Sequence, residues 1–67
     1  MDVRVVTRHH LFTAAEPFTL GPPAEVGTVH HVIRFHRRQV MGRRYMRYVV
    51  AVDGVEFTLS PPHCERT

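Results

Sequence analysis

Asp53-Gly54 sits between two alternating β-rich runs, Tyr48-Val49-Val50-Ala51-Val52 and Val55-Glu56-Phe57-Thr58-Leu59. Both residues tolerate positive φ, which a type I′ turn demands at its two central positions, so the pair predicts a tight hairpin. The turn fixes a register. Val52 falls opposite Val55, Val50 opposite Phe57 and Tyr48 opposite Leu59 on one face, while Ala51 with Glu56 and Val49 with Thr58 take the other. One face is apolar and the other mixed, as expected of a sheet with a single buried side.

Met41-Gly42 offers a second two-residue turn, between Arg38-Gln39-Val40 and Arg43-Arg44-Tyr45. It would add a third strand and extend the apolar rows to Phe35-Tyr48-Leu59, Ile33-Val50-Phe57 and His31-Val52-Val55. Parity then sends His30, Arg34, His36 and Arg38, with Tyr45 and Arg47, to the opposite side. A slip of two residues keeps this division, because only an odd slip exchanges the faces. Arg37 falls on the apolar side, which places it where the sheet ends.

Upstream, residues 2–12 are rich in β-branched side chains and read as one first strand. Val3 and Val5 share a face while Val6 and Phe12 fall on the other, which predicts a bulge near Val6 or burial of both faces. From Thr13 to Gly27 the chain carries Pro17, Gly21, Pro22, Pro23 and Gly27, too many breakers for a long helix. This segment is expected to be an ordered loop whose Phe18 and Leu20 pack over an open end of the sheet. Ser60-Pro61-Pro62-His63-Cys64 reads as a 3₁₀ turn or extended tail, with nothing after Cys64 long enough for a further strand.

The expected fold is all-β: one domain over residues 1–67, a small, strongly bent antiparallel sheet of four to five strands. The element order is that of a half-open SH3-like barrel, an analogy of architecture only. Such a sheet leaves an edge free, and a chain of 67 residues has a small core, so association with a partner or a second copy would add stability.

The chain carries a formal charge of +3, and all nine of its basic residues are arginine. Arginine suits phosphate or carboxylate because its planar guanidinium bonds as a bidentate fork; GC-rich coding would also explain the absence of lysine. The candidate binding surface is Arg34, His36, Arg38, Tyr45 and Arg47, extended around the turn by Arg37, Arg43 and Arg44. Alternating arginines reach successive phosphates, and a tyrosine between them offers a ring for stacking.

Other chemistry finds little footing. Adjacent histidines on a strand point to opposite faces, so neither His9-His10 nor His30-His31 forms a chelating pair, and a site would have to join His63 or Cys64 to a distant histidine. One cysteine excludes an internal disulfide, the six carboxylates form no useful pair, and the glycines are isolated turn residues. No catalytic residue, metal or cofactor is assigned. The expectation is a non-enzymatic binding module for nucleic acid, DNA or RNA, or another polyanion. The alternative is a protein-protein assembly subunit or regulator that pairs a free strand edge with a partner. No apolar run reaches transmembrane length and Met1-Asp2-Val3-Arg4 does not open a signal peptide, so a cytoplasmic location without membrane contact is expected.

Overall fold

The structure is a computed structural model that describes residues 1–67. Eight strands follow one another: β1 (Asp2–Val5), β2 (His9–Thr13), β3 (Leu20–Ala24), β4 (Val29–His31), β5 (Arg34–Val40), β6 (Arg43–Val52), β7 (Val55–Leu59) and, after a 3₁₀ turn over Pro61–His63, β8 (Cys64–Arg66). All pairings are antiparallel. They build a three-stranded sheet, β4-β1-β8, and a five-stranded sheet, β3-β2-β7-β6-β5, which do not close into a barrel.

The core lies between the sheets. Val3 and Val5, at alternate positions of β1, meet Leu11, Tyr48, Val50 and Leu59 of the large sheet, with Ala24 and Val32 completing the cluster. Val52, Phe57 and Cys64 flank it, half-buried. Burial alternates along β1, which faces the core on one side, whereas Tyr48–Val50 of β6 and Thr58–Leu59 of β7 are buried on both faces.

Both tight turns form as their residues dictate. Asp53 and Gly54 have φ of 51° and 79°, Met41 and Gly42 of 50° and 78°, so each turn holds positive φ at both central positions. The ladders keep Tyr48↔Leu59, Val50↔Phe57, Val52↔Val55 and Phe35↔Tyr48 in register. All-β, antiparallel and open is thus the observed architecture, with more and shorter strands than the sequence pattern suggests.

Four local expectations are corrected. Residues 2–12 are two strands in different sheets, because Val6 and Thr7 donate their N–H groups to the His63 carbonyl at 2.8 and 3.2 Å and so break the ladder. His31 pairs with Asp2 in the small sheet instead of reaching Val52. The chain crosses between sheets at Val32-Ile33, where Val32 N–H donates to Met1 O and Ile33 N–H to Val49 O, leaving the Ile33 side chain exposed. Leu20–Ala24 forms an edge strand in spite of Pro22 and Pro23, since an edge position tolerates a missing donor. Leu20 is 62% exposed, so Phe18 alone packs over the sheet. Finally Cys64–Arg66 is a strand, so the residues from Cys64 onward do extend a sheet: Cys64, Glu65 and Arg66 pair with Val5, Arg4 and Val3.

One feature of the ladder sets up the site. β7 pairs with β6 only as far as Tyr48, so Arg43–Arg47 has no strand partner but β5. The β5–β6 hairpin therefore continues past the body of the sheet as a two-stranded ribbon, with Met41 at its tip 98% exposed.

Candidate functional site

Parity places the arginines as the pattern requires. His36 lies opposite Arg47, Arg38 opposite Tyr45 and Val40 opposite Arg43, and with Arg34 these residues occupy the outer face. Arg37 opposite Met46 and Arg44 opposite Gln39 occupy the other face. Arg37 and Arg44 thus lie on the face opposite the rest of the expected set, and the ribbon beyond Phe35 carries cations on both sides.

The outer face is not fully solvated, contrary to its expected role as an open surface. Val49 is 0% and Thr58 3% exposed, and Arg47 and His36 are half-buried. Part of the cover comes from the loop between β2 and β3. Thr13 closes this loop on Thr19, donating its N–H to the Thr19 carbonyl at 3.0 Å and accepting the Thr19 N–H at Oγ1 at 2.9 Å. The closure carries Phe18 onto the face, where its ring lies 4.7 Å from the Arg38 guanidinium carbon and 6.3 Å from the His36 ring. A cation over an aromatic face at this distance is attracted by the ring quadrupole, which orders Arg38.

The arginines differ in how far their charge is already engaged. Arg34 is ion-paired with Glu56, its diagonal neighbour across β6; the hydrogen bond raises the guanidinium pKa and lowers that of the carboxyl. Arg4 pairs with Glu65 and Arg8 with Glu25. Arg47 Nε donates to Thr58 Oγ1 at 2.8 Å and Nη2 to the Thr58 carbonyl at 3.3 Å. Burial lowers the Arg47 pKa, yet a guanidinium keeps its charge at neutral pH. Arg37, Arg38, Arg43 and Arg44 have no carboxylate partner, and no acidic residue occurs between Glu25 and Asp53. Positive charge is thus concentrated on the ribbon, and Arg34 contributes least of the expected set.

At the root of the ribbon these elements enclose a cleft of about 790 Å³, lined by Phe12, Phe18, His36, Arg38, Val40, Arg44, Tyr45, Met46, Arg47, Thr58, Ser60, Pro61 and Pro62. His9 anchors the far wall by accepting the Ser60 N–H at Nε2 (3.2 Å). Phe12, Phe18, Pro61 and Pro62 are site residues that the strand pattern did not identify; the apolar Phe18 in a breaker-rich loop was the one available signal.

The remaining titratable groups sit elsewhere. Burial, with a smaller contribution from His9, lowers the His30 pKa; burial raises that of the Cys64 thiol, opposed in part by Arg47. No three His, Cys, Asp or Glu side chains come together as a metal site, and no helix is long and apolar enough to cross a membrane. The chain matches no family model, no curated protein and no solved structure.

Proposed function

We propose that this chain is a binding module for nucleic acid, engaging the phosphate backbone through the β5–β6 ribbon. The observation that carries this reading is the set of Arg37, Arg38, Arg43 and Arg44, free of carboxylate partners and spread over both faces of a projecting hairpin. A ribbon with cations on each side can meet phosphates on two flanks, and arginine forks bond phosphate oxygens bidentately. The half-open sheets act as an SH3-like scaffold that holds the ribbon out. A cytoplasmic setting suits such a partner and the single free thiol of Cys64.

Four phosphate contacts give a slope of log K against log salt of about −3.6 for duplex DNA and about −2.8 for a single strand. Titration of labelled oligonucleotides at several salt concentrations tests this. Replacing both Arg37 and Arg44 by Ala should flatten the slope by nearly two units, and absence of binding by the wild type at low salt rejects the reading.

A second reading rests on β5, a seven-residue strand at the edge of its sheet with one side unpaired. It could accept a strand from a protein partner. The arginines of β5 repel a second copy at this edge, so an acidic partner fits better than self-association. Sedimentation over a wide concentration range separates the two cases.

A further inference from the structure

We propose that the cleft at the root of the ribbon receives an unstacked nucleobase, so that the nucleic acid bound is single-stranded. This rests on the preceding reading and adds the form of the ligand. Fourteen large hydrophobic side chains are exposed in this chain, and five of them, Phe12, Phe18, Val40, Tyr45 and Met46, line this one cleft. Their concentration here is not needed for contact with phosphates. A flat apolar group must occupy the space if that surface is to be removed from water.

Charge selects what the flat group is attached to. Arg38, Arg44 and Arg47 border the same cleft, none has a carboxylate partner, and Arg43 continues the cationic surface of this face toward the tip. A ligand that fits is therefore flat and apolar at one point and anionic at regular intervals beside it. Single-stranded nucleic acid has this form: its bases can be splayed from the backbone onto aromatic rings while the phosphates meet arginine. Bases in a duplex are stacked and cannot enter. The volume, about 790 Å³, lies within the ~300–1,000 Å³ of pockets that hold small organic groups. Phe18 supplies one stacking face and Tyr45 the other candidate. The Ser60 hydroxyl, which makes no hydrogen bond within the protein, supplies a polar contact for a base edge.

The test compares a ten-nucleotide single strand, the same strand with an abasic site at each position in turn, its duplex, and polyglutamate, all at one low salt concentration. The single strand should bind most tightly, and at least one abasic position should weaken it by about 5- to 140-fold, the range that one base–aromatic stack supplies. Phe18→Ala should lose a similar factor with an unchanged salt slope; Tyr45→Ala, on the ribbon and away from the core, keeps the test informative if Phe18→Ala unfolds. Equal affinity for the duplex and for every abasic strand overturns the inference while leaving phosphate binding intact. Polyglutamate bound as tightly as the single strand overturns it in favour of an acidic peptide, and failure of every nucleic acid to bind overturns the preceding reading as well.

Discussion

Thr58 joins three parts of the molecule, and its hydroxyl can be removed with almost no change of shape. Buried to 3% exposure, it accepts the Arg47 Nε–H at 2.8 Å and donates to the Phe12 carbonyl at 3.3 Å. Thr58→Val deletes both bonds. A hydrogen bond to a charged group contributes about 1.5–3 kcal/mol, and the long bond to Phe12 adds little. Arg47 is only half-buried, so water recovers part of its loss, and valine gains from burying a methyl in place of a hydroxyl. The net destabilisation expected is therefore at the low end, about 1.5 kcal/mol. For a domain of this size that lowers Tm by roughly 6–12 °C. Thermal unfolding followed by circular dichroism measures it, with Thr58→Ser as the variant that keeps the hydroxyl. A cycle with Arg47→Met isolates the pair. If the two changes add within about 0.3–0.5 kcal/mol, the Arg47–Thr58 bond contributes nothing and the floor of the cleft is not held as described.

Three further outcomes are expected. A Cβ at Gly21 would lie 2.6 Å from Phe57 Cε1 and 2.8 Å from Cδ1, so Gly21→Ala should destabilise by about 1–3 kcal/mol through displacement of a half-buried ring; an unchanged urea midpoint would show that the ring yields freely. Because the folded pKa of His30 is depressed, the unfolded chain binds a proton that the folded chain refuses as pH falls below about 6.5, and stability should drop across that window and level off below the folded pKa. Denaturant titrations between pH 5 and 8 should show a shallower dependence for His30→Gln, and identical profiles would exclude His30 as a source. Cys64, its thiol pushed up by burial against the opposing charge of Arg47, should react with a disulfide reagent at pH 8 more slowly than in the unfolded chain, and more slowly still in Arg47→Met. Equal rates for folded and unfolded chains would contradict this.

What the sequence made legible was local. Asp53-Gly54 and Met41-Gly42 fix their own φ values, and each turn then fixes parity along the strands it joins, which is why the division of Arg34, His36, Arg38, Tyr45 and Arg47 from Phe35, Tyr48 and Leu59 survives in the fold. Elements of three residues were not legible. Val29–His31 and Cys64–Arg66 are too short for a period-two pattern and become strands only because β1 offers them an edge on each side. The cleft escaped for a related reason. Phe18 and Pro61-Pro62 are far from the ribbon in sequence, and a loop closed by Thr13 and Thr19 together with a turn stitched to His9 brings them to it. Glu56 was visible opposite Ala51, but its pairing with Arg34 is diagonal, across a strand, and needs the twist of the sheet to form.

Because β6 outruns β7, the ribbon from Arg37 to Met46 can change length without touching the core. Its arithmetic is that of an antiparallel strand, about 3.4 Å per residue with side chains alternating between faces. Adding one residue to each arm moves the tip outward by about 3.4 Å and exchanges the faces of every arginine beyond the insertion. Adding two moves it by about 7 Å and restores them. With the insertion placed beyond Arg38, which then stays over Phe18, the reach of the ribbon is thus adjustable in even steps only, if Arg43 is to keep the face of Arg38 and Arg44 that of Arg37. Homologous or engineered chains with the same use of this hairpin should differ in length by pairs of residues per arm, whatever happens to the rest of the sequence.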